Sequence, residues 1–177
     1  GKIVPNMEIR IDSSNPAEIP GEIQIKGANV FLGYFKNEEA TKEVFTKDGW
    51  FRTGDMGILD ADGCLFIKGR TKCMILGPSG QNIYPEEVET VINSQPYVVE
   101  SLVIEDNGGL TALIYPDFAA GASEGMSQQA FVKFIEDTLP ELNKELPNYA
   151  KLKKIEVMSE DFERTPKKSI KRYLYQR

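Results

Sequence analysis

Residues 69–93 read GRTKCMILGPSGQNIYPEEVETVIN, and within this stretch the chain changes its secondary-structure pattern. Short strand patterns joined by tight turns precede it, and alternating strand and helix patterns follow it. Inside it, Pro85 opens a predicted helix that ends near Asn93, because proline is favoured in the first helical turn and Val88 and Ile92 share one face. The stretch therefore predicts where one structural unit gives way to another.

Upstream, the sequence is typical of β-structure. Residues 22–26 alternate apolar and polar side chains with the period of a half-buried strand. Residues 57–60 and 64–68 flank Asp62-Gly63, which favours a hairpin turn because glycine accepts positive φ. Three or four strands with so little helix leave sheet edges and one face open. Residues 1–69 are therefore interpreted as the tail of a larger domain, part of a β-rich, barrel-like subdomain.

Downstream, the pattern predicts a compact α+β unit that includes a short strand at 73–76. Strands at 98–105 and 110–115 flank Asp106-Asn107-Gly108-Gly109, a strong hairpin signal. Residues 119–126 are predicted to be a small-residue loop, and Ser127 is predicted to cap the next helix.

The predicted fold class is α+β with two parts. The C-terminal part of a large β-rich domain occupies residues 1–69, and a small C-terminal domain with a short sheet packed by helices occupies residues 70–177.

The composition excludes several classes of function. There are no histidines, which removes Ser-His-Asp and Cys-His nucleophiles and histidine-based zinc sites. A formal charge of −6 disfavours nucleic acid as a partner. The only cysteines, Cys64 and Cys73, are too few for a disulfide framework and wrongly spaced for a metal clip, so no metal ligand is assigned. Reduced cysteines, no transmembrane run and no signal peptide together predict a cytoplasmic protein.

Two short motifs carry candidate chemistry. Residues 49–55 read GWFRTGD, and a carboxylate on this glycine-rich turn, Asp55, could accept two hydrogen bonds from a ribose diol. The alternative is a turn in which Asp55 caps the backbone that follows. Arg70 comes directly after a strand, and its planar guanidinium suits phosphate or ribose. The alternative for Arg70 is a surface arginine at a domain border.

These segments belong to a set of motifs that come in one order: Gly21-Glu22-Ile23, Gly27, Gly33-Tyr34, Ala40-Thr41, Arg52-Thr53-Gly54-Asp55, Gly69-Arg70-x-Lys72 and Asn82-Ile83-Tyr84-Pro85-x-Glu87-Val88-Glu89. In that order and spacing, the chain resembles the acyl-CoA synthetases of the adenylate-forming superfamily, which also contains luciferases and the adenylation domains of peptide synthetases. The resemblance covers nearly the whole chain, and it implies the C-terminal portion of such an enzyme.

The resemblance assigns roles to four positions. Asp55 would bind the ribose hydroxyls of ATP and of the acyl-adenylate, and Arg70 would contact the ribose and the phosphates. Lys72 would be the hinge, within a hinge segment at 70–72, about which a mobile C-terminal domain turns between two half-reactions. Gly80 would lie on the loop that lines the pantetheine tunnel of coenzyme A.

The resemblance also implies the reaction. The full-length enzyme would use ATP and Mg²⁺, with the magnesium site mostly upstream of this chain, to convert a carboxylic acid to acyl-AMP and transfer the acyl group to coenzyme A. A long-chain fatty acid is the preferred substrate, from the likeness of residues 80–87, GQNIYPEE. The phosphate loop, adenine pocket and acyl pocket lie outside these residues, so the chain alone is expected to be inactive. Peripheral membrane contact of the full-length protein stays open.

The C-terminal segment departs from the family pattern. Residues 164–172 read RTPKKSIKR, whereas the family usually has Thr-Pro-x-Gly-Lys-Ile, whose lysine stabilises charge on the α-phosphate during adenylation. Alignment through Thr165-Pro166 and Ile170 puts Ser169 at the lysine position. Lys168 is the nearest substitute, provided that the loop is shifted or bent, because neighbours on an extended segment point to opposite sides. The alternative is a solvated basic tail.

Two rival functions stay open. A binding or regulatory relative would keep the fold and lose adenylation, and an adenylating enzyme of another kind would load a carrier protein instead of coenzyme A. A Gly/Ser/Thr-rich phosphate loop ending in lysine, encoded upstream, would favour an active enzyme over a regulatory relative.

Overall fold

The computed structural model describes residues 1–177, which divide into two compact units, Gly1–Met74 and Ile75–Arg177. The border predicted from the sequence, between residues 69 and 70, is that of a domain expected to rotate in the full-length protein. That border stays a prediction. Neither unit contains a helix with the length and apolar character needed to cross a membrane.

The first unit is built on a four-stranded antiparallel sheet. Its strands are adjacent in chain order: β1 (Met7–Asp12), β2 (Gly21–Gly27), β3 (Phe51–Leu59) and β4 (Leu65–Arg70). Ile11 on β1 and Ile23 on β2 are paired in register, and both are buried. The strand predicted at 22–26 and the hairpin around Asp62-Gly63 are confirmed.

A short helix and an aromatic cluster lie beside this sheet. Helix α1 (Glu38–Val44) begins after Asn37, whose side chain accepts a hydrogen bond from the N–H of Ala40 at 3.0 Å. The rings of Phe31, Phe45 and Phe51 pack around one another with centroids 5.2 to 5.7 Å apart. Such tilted arrangements stabilise aromatic clusters beyond the area they bury.

The second unit has a two-stranded and a three-stranded sheet. Strands β5 (Ile75–Leu76) and β6 (Asn82–Ile83) form a short hairpin. Strands β7 (Val98–Asp106), β8 (Gly109–Pro116) and β9 (Leu152–Val157) form the larger sheet, in which β7 and β8 are antiparallel and β8 and β9 are parallel. The β7–β8 turn has positive φ at Asn107 and Gly108, as the sequence predicts.

Four helices belong to the second unit: α2 (Pro85–Asn93), α3 (Phe118–Ser123), α4 (Gln128–Glu136) and α5 (Leu139–Glu145). The larger core joins one face of the three-stranded sheet to α2, α4 and α5, through Val88, Ile92, Val103, Ile114, Phe131, Ile135, Leu142 and Ile155. The bounds of α2 and the cap of α4 by Ser127 are as predicted. The fold class is α+β.

The chain after β9 packs on the opposite face of the sheet. Leu102, Ile104 and Leu113 form a second core with Phe162, and Ile170 and Tyr175 pack against it. Because side chains alternate between the two faces of a strand, β7 and β8 supply both cores. The C-terminal segment is therefore a packed layer of the unit.

Two predicted elements are wrong. Residues 73–76 are not one strand, because a 3₁₀ turn occupies Thr71–Cys73 and β5 begins at Ile75. Residues 119–126 are not simply a loop, because Phe118–Ser123 forms α3, with Asp117 accepting a hydrogen bond from Ala120 N–H at 3.0 Å. The predicted loop lacks an apolar helical pattern, since the large side chain of α3, Phe118, lies just before it and the buried residue of the helix is Gly121.

Candidate functional site

Asp55 lies inside strand β3, so the predicted placement of this carboxylate on a turn is wrong. The glycine next to Asp55, which suggested a turn, instead accompanies an irregularity within the strand. Gly54 has a φ of +73°, and the pairing of β3 with β4 shifts register between Met56 and Gly57. Such irregularities re-aim side chains along a strand, and they recur beside active sites. The irregular backbone therefore flanks Asp55 on both sides while Asp55 stays within β3.

Asp55 and Arg70, which the sequence singles out separately, are brought together by the sheet. They are register partners on β3 and β4, and Nε of Arg70 lies 2.8 Å from Oδ1 of Asp55. The side chain of Asp55 is 30% exposed and that of Arg70 is 65% exposed, so both are accessible to a ligand. The second carboxylate oxygen and the terminal guanidinium nitrogens suit a diol and a phosphate respectively.

The backbone around Asp55 is held by neighbouring polar groups. The N–H of Asp55 donates to the hydroxyl of Thr53 at 3.0 Å, and that hydroxyl donates to the carbonyl of Ile23 at 2.8 Å. Glu22 accepts hydrogen bonds from Nε of Arg52 at 2.8 Å and from the N–H of Gly54 at 3.3 Å. These contacts tie the irregular part of β3 to β2, which preorganises the carboxylate.

Lys72 follows Arg70 in the 3₁₀ turn Thr71–Cys73, and its side chain is exposed. The flanking residues Arg70 and Met74 are extended, with ψ of 136° and 132°. The hinge role of Lys72 stays a prediction.

Gly80 lies at the tip of the β5–β6 hairpin. Gly77 accepts a hydrogen bond from Gly80 N–H at 2.9 Å and donates its own N–H to the carbonyl of Gln81 at 2.8 Å. Gly80 has a φ of +81°, and a Cβ placed there would meet no atom within 4 Å. Glycine therefore serves the backbone conformation here, and the contact with coenzyme A stays a prediction.

Lys168 lies in a turn of the same kind. The carbonyl of Thr165 accepts a hydrogen bond from the N–H of Lys168, and the N–H of Thr165 donates to the carbonyl of Ser169, both at 2.8 Å. Arg164 and Ile170 form an isolated antiparallel β-bridge beside this turn. Two further turns repeat these hydrogen bonds, at Thr46–Trp50 and Asp60–Cys64. In all four turns the fourth residue has positive φ. These residues are Gly49, Gly63, Gly80 and Lys168.

The bend that Lys168 needs is therefore present, since its φ of +65° takes the chain out of the extended conformation. In hairpins of this type, two residues on one strand oppose one residue on the other, so Lys168 and Ser169 both face Thr165. Lys167 and Lys168 are exposed at the tip. Lys171, the next candidate for the charge, is paired instead with Glu163 at 3.0 Å.

The alternative of a solvated basic tail is wrong for most of the segment. Four of its six basic residues form ion pairs with carboxylates: Arg164 with Glu100 and Asp161, Lys171 with Glu163, Arg172 with Glu86 and Glu89, and Arg177 with Asp106 and Glu156. The two lysines at the hairpin tip are the exposed remainder.

Sequence reasoning missed one buried charge, Glu89 on α2. Its side chain accepts the N–H of Val103 at 2.7 Å and forms an ion pair with Arg172. Burial raises the pKa of the Glu89 carboxyl, and the bonds from Arg172 and Val103 oppose that rise. The sequence feature that could have revealed Glu89 is its position on the apolar face of α2, beside Val88 and three residues before Ile92. A carboxylate buried on such a face needs a partner.

Within residues 1–177, no group of three or more aspartates, glutamates or cysteines could hold a metal ion. The magnesium site expected mostly upstream of this chain stays a prediction.

The chain is similar in sequence to a known family and to curated proteins. Residues 74–177 match the family described as the AMP-binding enzyme C-terminal domain. Over 97% of its length the chain is 32% identical to a long-chain-fatty-acid–CoA ligase of Mycobacterium tuberculosis, of which it covers 31%. Over 78% of its length it is 35% identical to a 2-succinylbenzoate–CoA ligase of Bacillus cytotoxicus, of which it covers 29%.

A solved structure extends the likeness to the fold. The o-succinylbenzoate CoA synthetase of Bacillus subtilis, in complex with its acyl-adenylate intermediate, superposes with a TM-score of 0.79 and 32% identity. The match covers 99% of this chain and 34% of that one, so the chain spans about a third of the length of these relatives. The family match includes more than half of the chain, from Met74 to its last residue. The chain belongs to the AMP-binding enzymes, and its residues 74–177 are their C-terminal domain.

Proposed function

We propose that the full-length protein is an AMP-forming acid–CoA ligase and that this chain supplies its ribose contact, its hinge and its C-terminal domain. The observation that carries the proposal is the pairing of Asp55 with Arg70 at 2.8 Å on adjacent strands, with both side chains accessible. A carboxylate beside a guanidinium is complementary to a ribose next to a phosphate, since the first accepts hydrogen bonds and the second donates them.

In the first half-reaction, a carboxylate oxygen of the acid would attack the α-phosphorus of ATP, forming acyl-AMP and releasing pyrophosphate. In the second, the thiol of coenzyme A would lose its proton and attack the acyl carbonyl, and AMP would leave. In both half-reactions, Asp55 would accept hydrogen bonds from the two ribose hydroxyls, and Arg70 would donate hydrogen bonds to the ribose and the phosphates. Rotation about Lys72 would then exchange the groups around the carbonyl and exclude water.

Lys168 would supply positive charge near the α-phosphate during the first half-reaction. Support comes from its exposure, from the bend at its φ of +65° and from the pairing of Lys171 with Glu163. Gly80, on the corresponding turn of the β5–β6 hairpin, would line the path of the pantetheine arm.

A long-chain fatty acid is the proposed substrate, supported by the relative of that activity that matches 97% of the chain. Relatives that act on 2-succinylbenzoate match it as well, so the acid needs a direct measurement. Pyrophosphate release by the full-length protein should be measured across acids of increasing chain length, with and without coenzyme A. Release that rises with chain length and acyl-CoA as the product would support the proposal. Acyl-adenylate that forms but is transferred only to a carrier protein would favour the rival enzyme.

The ribose contact is tested by substitution in the full-length protein. Asp55→Asn should raise the KM for ATP by about 10- to 100-fold, because hydrogen bonds to a charged group each contribute about 1.5 to 3 kcal/mol. Asp48→Asn is the matched control, since Asp48 also forms an arginine pair in the first unit, with Arg10 at 2.6 Å. Equal effects of the two substitutions would refute the assignment of Asp55.

A cytoplasmic location belongs to the same proposal. Neither Cys64 nor Cys73 forms a disulfide, which agrees with a reducing compartment.

A further inference from the structure

Glu89 is a buried carboxylate whose two oxygens have separate tasks. It lies on α2 and is 7% exposed. One oxygen accepts the N–H of Val103 at 2.7 Å, and the other pairs with the guanidinium of Arg172, 83 residues later in the chain. Val103 belongs to β7, an edge strand of the three-stranded sheet, so Glu89 satisfies a donor that the sheet leaves unpaired.

Arg172 lies two residues after the end of the hairpin 164–170. Between them, Lys171 donates its N–H to the carbonyl of Glu163 at 2.8 Å, which closes the base of the hairpin. On the other strand of the hairpin, Arg164 pairs with Glu100 on β7. The hairpin thus has one arginine attachment on its first strand, Arg164, and one just after its second strand, Arg172. Its tip carries Lys167 and Lys168.

The two attachments differ in burial. The side chains of Arg172 and Glu89 are 24% and 9% exposed, whereas those of Arg164 and Glu100 are 34% and 27% exposed. An exposed ion pair contributes little and tolerates several geometries. A buried carboxylate left without its partner is strongly unfavourable, so its ion pair admits one arrangement. The Arg172–Glu89 pair is therefore the more restrictive of the two ion pairs, and it acts together with the packing of Ile170 against the second core.

We propose that Arg172 is a positioning residue for adenylation: its ion pair with Glu89 holds the hairpin 164–170 in one place on the second unit and so presents the lysines at its tip. This role rests on the proposed function, in which a lysine of this hairpin supplies charge to the α-phosphate. Arg172 itself acts through the hairpin and touches no substrate.

The first test measures the hairpin directly, by amide hydrogen exchange of the 177-residue chain. Arg172→Ala should accelerate exchange at the N–H groups of Thr165, Lys168 and Lys171 by about tenfold or more, since local opening becomes easier. Glu89→Gln should do the same while keeping an acceptor for Val103, and the double variant should add little because both substitutions remove one ion pair. Arg177→Ala is the matched control, because it breaks an ion pair of the same segment whose arginine is 47% exposed and lies outside the hairpin.

The second test uses the full-length enzyme and separates the half-reactions. Arg172→Ala should slow adenylation by about 10- to 100-fold, since misplacement by about 1 Å can cost that much. Transfer from preformed acyl-adenylate to coenzyme A should be unchanged, and Arg172→Lys should recover part of the adenylation rate. Arg177→Ala should leave both half-reactions unchanged.

Each outcome decides a separate point. Equal loss of both half-reactions, or unchanged exchange at the hairpin amides in Arg172→Ala, would overturn the positioning role. A wild-type enzyme that releases no pyrophosphate with any acid would refute the proposed function instead, and with it the link to adenylation. The exchange measurement would then still decide whether Arg172 holds the hairpin.

Discussion

Lys168 occupies a backbone position at which three other turns of this protein have glycine. The equivalent residues Gly49, Gly63 and Gly80 have φ of +83°, +70° and +81°, and Lys168 has φ of +65°. The left-handed region costs a residue with a Cβ roughly 1 to 2 kcal/mol. Lys168 therefore has a backbone cost that glycine would not have, as do Lys36 and Tyr97, whose φ is also positive.

Lys168→Gly should therefore stabilise the chain by about 1 kcal/mol, measured by urea denaturation. Gly80→Ala is the matched reverse change and should destabilise by a similar amount, since open space surrounds Gly80 and only its φ is unfavourable for alanine. In the full-length enzyme, Lys168→Gly should slow adenylation despite the added stability. A destabilised Lys168→Gly chain would contradict the strain at this position.

Glu156 provides a pH-dependent prediction. Hydrogen bonds from Arg177 and Lys154 hold the pKa of its carboxyl down to about 2. Because the folded pKa lies below the unfolded value of 4.5, this carboxylate stabilises the fold above pH 4.5, and that contribution is lost as the pH falls towards 2. Arg177→Ala should lower the unfolding free energy at pH 7 by about 1 kcal/mol or less, since the side chain of Arg177 is 47% exposed to solvent.

The measurement is the difference in unfolding free energy between wild type and Arg177→Ala from pH 7 to pH 2. The difference should shrink towards zero at the acid end. In a Glu156→Gln background, the larger part of this pH dependence should disappear. A difference that stays constant with pH would show that the ion pair is not its source.

At the scale of elements, α3 is a helix that the local sequence does not predict and that packing stabilises. An added Cβ at Gly121 would lie 2.7 to 2.8 Å from ring atoms of Phe131 on α4. The bare backbone of Gly121 therefore lets the two helices approach closely. In isolation, small residues and a glycine favour a loop, because each apolar contact is small and glycine loses more entropy on ordering.

Gly121→Ala should consequently destabilise the chain by about 1 to 3 kcal/mol, the usual cost of overpacking. Thermal and urea denaturation measure the loss. Combined with Phe131→Leu, which shortens the opposing side chain, the two losses should be less than additive. A neutral Gly121→Ala would mean that α3 shifts freely and is not held by α4.

At the scale of the whole molecule, the prediction concerns Lys72. If Lys72 acts through its backbone as a hinge, Lys72→Pro in the full-length enzyme should hold one conformation, because proline fixes φ near −65°. Adenylation and thioester formation, measured separately, should then respond unequally. Lys72→Ala, which removes the charge and keeps the backbone free, should preserve both. Equal loss of both half-reactions in Lys72→Pro, or no loss, would contradict the hinge.

The sequence by itself determined the elements whose signals are local and the family to which the chain belongs. The start of α2 at Pro85 and the Asn107-Gly108 turn follow from backbone preferences of single residues, which act without the rest of the fold. The motifs from Gly21 to Glu89 also identified the adenylate-forming family from their order alone.

Only the tertiary structure decided which of the predicted residues meet. Asp55 and Arg70 become partners through the register of β3 and β4, and Glu89 finds Arg172 across 83 residues of chain. A positive φ at Lys168 likewise follows from closing a hairpin whose residues otherwise favour no such turn. For the two ion pairs, the deciding free energy belongs to a contact between distant segments, and a pattern read along one segment does not contain it.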